Sequence, residues 1–441
     1  MTEGEVAMVG QVVTELADRD GRADQGPSGG SAGTRTTPDW DALVSRRAAT
    51  VPSNVFADMD VRVAAAVAAG HDVIDLSKAN PDLRTPDFIV RAGERATGDL
   101  ANHRYTHFDG KPGFRAAAAD WYRREHGVSL DPDTQVLATV GAVTGLSTIT
   151  QSLLDPGDAI AIPAPYYPPY AAFASVAGAR LLPVPTSADT GFLPDFDAVP
   201  AKEWDRVKLL LLNYPNNPTG ATATRELFER AIELAHEHGF VVANDFAYTS
   251  LDTGLEPSGS PVSLLTVAGA DDVAVEVVSL SKMYGMAGWR LGFMAGPAGL
   301  LHYVREYHHQ MCSFPTGSVQ DAGQAALESD QSCVRDIAGV YRARRRLLAG
   351  GLAANGFDVF DAHGSLFVWA RVPSAVPGTS AGPADSRAFA ARVLEKADVA
   401  VMPGICFGNG GEGYVRLSLL DGEDRLAEAV RRIGRAEDWA D

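Results

Sequence analysis

Cysteine is scarce in this chain: Cys312, Cys333 and Cys406 are the three among 441 residues. An odd, sparse set without motif spacing argues for a reducing compartment and against a disulfide framework. Positive charge is also short. Asp and Glu number 56 against 38 Lys and Arg, a net charge of -18, which makes nucleic acid and anionic membranes poor partners. No uncharged apolar run is long enough to span a bilayer. The N-terminus carries Glu3 and Glu5 where a secretory signal would be basic, and no apolar core follows. These absences predict a cytoplasmic protein that acts on small molecules.

Apolar content is ample at 46%. Over this length it exceeds one compact layer and predicts two domains. Residues 1–38 stand apart. Asp20 to Thr37 is Gly, Ser, Thr and charge and reads as disordered, while Val6 to Ala17 has the makings of a short helix. From Asp39 onward the pattern is globular. Apolar runs of strand length fall at Val136–Val140, Ala159–Pro163, Arg180–Val184, Val207–Leu212, Phe240–Ala243, Val273–Leu280 and Leu291–Ala295. Helical segments lie between them, one from Thr224, a plausible N-cap, to a stop at Gly239. Alternation of this kind predicts an α/β domain with a mostly parallel sheet, whose ligands bind beyond the carboxyl ends of the strands. The last 140 residues change character. A helix from Gln331 to Ala354 and short strands at Ser365–Arg371, Val399–Met402 and Tyr414–Leu419 predict a smaller α+β domain.

The most informative residue is Lys282, at the end of the run Val273–Leu280. A lysine closing a buried strand is badly placed unless its amine is used. Burial favours the free amine, which is what a Schiff-base nucleophile needs. Ser279, Ser281 and Arg290 supply donors suited to a phosphate. This set looks like an anchor for pyridoxal 5'-phosphate (PLP); the other reading is a surface loop with a stray lysine. Asn217 sits in Tyr214-Pro215-Asn216-Asn217-Pro218-Thr219-Gly220, where two prolines and a glycine stiffen the backbone, so its amide is presented either to a ligand oxygen or within an ordinary turn. Asp245 ends a buried strand and needs a partner, either a pyridinium nitrogen or an arginine. Tyr248 lies one helical turn on. Ala142 and Val143 follow Gly141 at a strand-to-helix junction, where bare amides cradle phosphate. Tyr167, between rigid prolines, suits stacking on a ring or packing in the core. Arg416 lies mid-strand among apolar neighbours and either faces inward to capture a carboxylate or faces out.

Other patterns carry less. The run Gly408–Gly413 leads into a strand and is a loop, not a dinucleotide fingerprint. His236 and His238, and His308 and His309 with Cys312, lack metal-site spacing, so no metal is expected. Arg342 to Arg346 reads as the exposed side of the long helix.

Taken together, "NYPNNPTG", "NDFAY", "SLSKMYGMAGWRLGF" and "YVRLSL", in that order, resemble the fold-type I PLP enzymes of the aspartate aminotransferase superfamily over residues 39–441. The resemblance implies a large PLP-binding domain over 93–300, with 39–92 and 301–441 contributing the smaller domain. It implies that Lys282 forms the Schiff-base link and moves the proton, that Asp245 pairs with the ring nitrogen, and that Asn217 and Tyr248 hold the ring oxygen. Ser279, Ser281, Arg290, Ala142 and Val143 then bind the phosphate, and Arg416 grips the α-carboxylate of an amino acid, with Ala79 nearby. Tyr105, in "RYTHFDGKPGFR", matches a tyrosine that reaches the phosphate of the neighbouring subunit, which implies a homodimer with shared active sites.

The texture from Leu210 to Leu327 is similar to alanine and LL-diaminopimelate aminotransferases. Two departures stand out: Ala79-Asn80-Pro81-Asp82-Leu83 replaces a "GEPDF"-like segment, and Tyr167 stands where many relatives stack tryptophan. "PAPYYPPY" resembles 1-aminocyclopropane-1-carboxylate synthases. The expectation is therefore an aminotransferase, with a PLP lyase or synthase acting on a substrate such as S-adenosylmethionine as the alternative. A regulator built on the same fold is disfavoured by the intact lysine, aspartate and arginine.

Overall fold

The computed structural model describes residues 39–251, 261–373 and 385–435. The reading of 1–38, with its helix at Val6–Ala17, lies outside them. Residues up to Ser45 belong to a unit of their own, of which the described part is a one-turn helix, Trp40–Leu43, capped by Asp39. The second unit, from Arg46 on, holds all that follows.

Its centre is a seven-stranded sheet of β2 (Val136–Thr139), β3 (Ala159–Ala164), β4 (Arg180–Pro185), β5 (Val207–Leu212), β6 (Val241–Asp245), β7 (Ala274–Ser279) and β8 (Gly292–Ala295), in the order β2-β8-β7-β6-β5-β3-β4. Strands β4, β3, β5, β6 and β7 pair in parallel, while β8 runs antiparallel to both β7 and β2. The sheet is mostly parallel, as the alternation of runs predicted.

Parallel strands covered on both faces need apolar side chains on both, which is why β5 reads Leu209-Leu210-Leu211-Leu212 without alternation. Leu210 and Leu212 join one buried cluster with Leu227, Phe228 and Ala231 of the helix Arg225–His238. Leu209 and Leu211 join another with Leu146 and Ile149 of the helix Gly141–Leu153. Burying each such side chain contributes about 1.5–3 kcal/mol. The helix Arg225–His238 starts at Thr224, whose Oγ1 accepts the Leu227 amide at 3.2 Å, and stops at Gly239 with φ +74°. Both ends match the sequence reading.

The remaining strands form two small sheets. β1 (Ile74–Asp75) pairs in parallel with β10 (Val399–Ala400), and β11 (Met402–Pro403), β12 (Tyr414–Ser418) and β9 (Phe367–Arg371) form an antiparallel set. The expected single strand Val399–Met402 is thus split between two sheets. One expectation fails on the helix Ser332–Ala354: Arg344 and Arg345 are buried, not exposed. Arg344 reaches Asp82 and the Leu419 carbonyl, and Arg345 donates to the carbonyls of His363, Gly364 and Ser365. A guanidinium can be buried when buried acceptors and a carboxylate meet several of its donors in this way. Arg342 and Arg346 are exposed as expected. Among the described residues, no helix is long and apolar enough to cross a membrane.

Because β8 reverses the chain, β2 runs in the same direction as β5, β6 and β7. The C-terminal ends of all four strands, at Thr139, Leu212, Asp245 and Ser279, therefore meet along one edge of the sheet. β8 begins at that edge, just after Arg290.

Candidate active site

A cavity of about 530 Å³ opens at this edge. It is lined by Ala79, Ala142, Val143, Tyr167, Asn217, Asp245, Tyr248, Ser279, Ser281, Lys282, Arg290 and Arg416. Twelve of the residues singled out in the sequence are thus brought together. Tyr105 is not among them: it is 94% exposed, edge-on to Phe314 at 6.1 Å.

One side of the cavity is a cluster of donors. The chain leaves β2 and enters the helix Gly141–Leu153, whose first-turn amides, including those of Ala142 and Val143, have no partner within the helix. Gly141 has φ +73°, which favours glycine, and a Cβ there would lie 2.5 Å from Arg290 Nη2 and push the guanidinium from its place. Arg290 is itself left-handed at φ +54° and donates from Nη1 to the Ala287 carbonyl at 2.9 Å. Ser279 caps the short helix Leu280–Met283, its Oγ accepting the Ser281 amide at 3.2 Å. The hydroxyls, the guanidinium and the helix amides converge, and an anion is the partner this set calls for.

Lys282 lies on that short helix, one turn beyond the strand rather than at its end as the sequence suggested. The turn is needed to bring the amine back over the sheet edge. Nζ donates to the Ala79 carbonyl at 2.6 Å. Burial, aided by the cations of Arg416 and Arg290 and opposed by Asp245, lowers its pKa to about 7. About half of the amine is then unprotonated at neutral pH.

Asp245 is the last residue of β6. Oδ2 accepts the Tyr170 hydroxyl at 2.6 Å and Oδ1 the Ala247 amide at 3.2 Å. Burial raises its pKa to about 6, with Tyr170, the Ala247 amide and Lys282 holding it down. Among the described residues it pairs with no arginine, the other partner that the sequence left open. Tyr170 was not singled out in the sequence. It is fully buried in the apolar helix Pro169–Ala177, and a phenol there needs an acceptor, which is the signal that would have found it. Asn213 was missed as well. It accepts the Asn217 amide at 2.8 Å and donates to the Asp245 carbonyl at 2.8 Å, tying two loops together.

The opposite wall comes from β12. Arg416 is 1% exposed, with Phe367 and Phe407 against its guanidinium at 4.2 and 4.8 Å. Nη1 donates to Asn217 Oδ1 at 2.9 Å and Nη2 to the Ser77 carbonyl at 2.7 Å, while Nε has no partner. Among the described residues no carboxylate pairs with it, so a buried cation waits for an anion. Of the two orientations left open for Arg416, the inward one is observed. Asn217 also reaches the buried hydroxyl of Tyr248, whose pKa burial raises well above its usual value. Tyr167 is half-buried, edge-on to Tyr170 at 5.5 Å, with its ring on the cavity.

These residues fit PLP. The donor cluster suits its phosphate, the depressed amine suits its aldehyde, and the unpaired buried arginine suits the carboxylate of an amino acid. The comparisons agree. Residues 71–433 match the family model described as aminotransferase class I and II. An L-glutamine--4-(methylsulfanyl)-2-oxobutanoate aminotransferase of Bacillus subtilis (strain 168) is 41% identical over 87% of this chain and 94% of its own length. An LL-diaminopimelate aminotransferase of Nitratidesulfovibrio vulgaris (strain DSM 19637 / Miyazaki F) is 38% identical over 89% of this chain and 99% of its own. Among solved structures, substrate-bound BacF from Bacillus subtilis superposes with a TM-score of 0.83 at 32% identity, covering 89% of this chain and 97% of that one.

Fold and cavity together define a PLP-dependent enzyme of fold type I. The chain belongs to the class I and II aminotransferase family and transfers the amino group of an amino acid. Transamination, not the lyase or synthase chemistry held as the alternative, is the activity named for both curated relatives.

Proposed function

We propose that this aminotransferase acts on α-amino acids with an uncharged side chain, of the kind named for its Bacillus relative. The observation that carries this reading is the pairing of charges in the outer cavity. Among the described residues, the charged residues lining it apart from Lys282, Arg290, Asp245 and Arg416 are Lys78 and Asp60, and these stand 3.6 Å apart. Lys78 is held further by Asp75 at 3.3 Å. A second carboxylate on the substrate would find no free cation there among the described residues.

In this reading Ser279, Ser281, Arg290 and the amides of Ala142 and Val143 bind the cofactor's phosphate. Asp245, kept in place by Tyr170, faces the ring nitrogen as a carboxylate, and Asn217 and Tyr248 hold the ring oxygen. Tyr167 covers one face of the ring. Bound there, PLP supplies a ring that takes up the electron pair left at the substrate Cα. Arg416 clamps the α-carboxylate, which sets the Cα–H bond near Lys282. Lys282 Nζ would take the proton from the substrate Cα and deliver it to the cofactor carbon bonded to the transferred nitrogen. Its pKa near 7 suits both halves of that exchange.

The reading includes a division into a large domain at 93–300 and a smaller one built from 39–92 and 301–441. It includes a homodimer, supported by the exposure of Tyr105, and a place in the cytoplasm without nucleic acid or membrane partners.

The test is to follow the absorbance of the bound cofactor while pure protein meets single amino acids. Glutamine and methionine should convert it to the amino form faster than glutamate or LL-diaminopimelate. Faster conversion by either of the latter two overturns the substrate reading.

A further inference from the structure

We propose that Lys78, held between Asp60 and Asp75, sorts substrates by the charge at the end of their side chain. The inference rests on the reading of an uncharged side chain above and names the device responsible. Phe56 and Asp60 stand one turn apart at the start of the helix Ala57–Ala68, and both line the cavity. Lys78 comes from the segment that follows β1. Its ammonium joins the two elements, 3.6 Å from Asp60 and 3.3 Å from Asp75.

That segment is fixed with respect to the chemistry. Asp75 Oδ1 accepts both the amide and the hydroxyl of Ser77, at 3.0 and 2.6 Å. The Ser77 carbonyl in turn accepts Arg416 Nη2 at 2.7 Å. One residue further on, the Ala79 carbonyl accepts Lys282 Nζ. The guanidinium that takes the α-carboxylate and the ammonium at the rim are therefore tied to neighbouring residues of one short stretch. Their separation acts as a ruler for the substrate side chain.

Lys78 with Asp60 and Asp75 carries one positive and two negative charges. A distal carboxylate meets net negative charge and a cation already engaged. A carboxamide can instead donate to Asp60 and accept from Lys78. Burial works against the Lys78 charge, but Asp75 and Asp60 outweigh it and hold the pKa above the ordinary value, so the ammonium persists across the working pH range. Lys78 and Asp60 are about half exposed, so the discrimination at stake is several-fold rather than absolute.

The experiment compares kcat/KM for glutamine and glutamate in four proteins. Wild type should prefer glutamine. Asp60→Asn removes one negative charge and leaves Lys78 held by Asp75 alone, and should move the ratio toward glutamate about fivefold. Lys78→Met leaves two unpaired aspartates and should move it the other way. Lys78→Arg keeps the charge and should stay near wild type. A merely structural role would change both substrates together and leave the ratio alone. If wild type prefers glutamine but the ratio does not move, or moves the same way in Asp60→Asn and Lys78→Met, the role of Lys78 is refuted and the substrate reading stands. If wild type prefers glutamate, the substrate reading falls and this inference falls with it.

Discussion

The amine of Lys282 owes its chemistry to its position, because an ordinary lysine is protonated at neutral pH. Burial and the cations of Arg416 and Arg290 disfavour its charge, so the free amine should grow as pH rises through about 7. The rate at which cofactor-free protein captures PLP should follow that curve and level off by about pH 8.5. Capture can be read from the absorbance of the bound cofactor. A rate that keeps climbing to pH 10 would mean an unperturbed lysine. Asp245 opposes the shift, so Asp245→Asn should move the curve to lower pH. Lysine, aspartate, asparagine and arginine were legible in the sequence because each is chemically out of place at an apolar strand or beside a stiff turn. Tyr170 and Asn213 were not. They act by holding Asp245 and Asn217, and residue type alone does not reveal what a buried hydroxyl or amide holds.

Strands and caps were legible for a related reason, since apolar runs and a threonine–glycine pair around a helix leave a local trace. The reversal at β8 and the single turn that carries Lys282 back over the edge leave none, because strand pairing is a long-range choice. Arg344 and Arg345 misled for the same cause: their acceptors lie far along the chain, at Asp82, Leu419 and residues 363–365. The junction between β2 and its helix offers a sharp test of the donor cluster. Gly141→Ala puts a methyl 2.5 Å from Arg290 Nη2 and strains a backbone at φ +73°. PLP should bind about tenfold more weakly, about 1.4 kcal/mol, because the methyl displaces the guanidinium from the donor cluster. Gly157→Ala is the control, with φ +98° and nothing within 4 Å of the added methyl. It should lose some thermal stability and keep its affinity for the cofactor. Equal affinities for the two variants, by equilibrium dialysis, would remove Gly141 from the site.

For the molecule as a whole, the proposed homodimer is tested at Tyr105. Tyr105 is 94% exposed and Phe108 54%, and both rings stand edge-on to Phe314, an aromatic patch of the kind that supports an interface. Sedimentation at assay concentration should show a dimer, and an active monomer would refute it. Mixing Tyr105→Phe with Lys282→Ala subunits should restore part of the activity that each lacks, because one site of the mixed dimer then has both side chains.

In the reading proposed above, the residues that hold the cofactor come from 142–290, whereas the wall assigned to the substrate side chain comes largely from 56–81. Among the described residues, these stretches are joined by the hydrogen bond from Lys282 to Ala79. Changes to the outer wall can therefore accumulate while the catalytic apparatus is left untouched. A lineage built this way can change its diet without relearning its trade, and grafting a relative's 56–81 stretch is the natural unit of redesign.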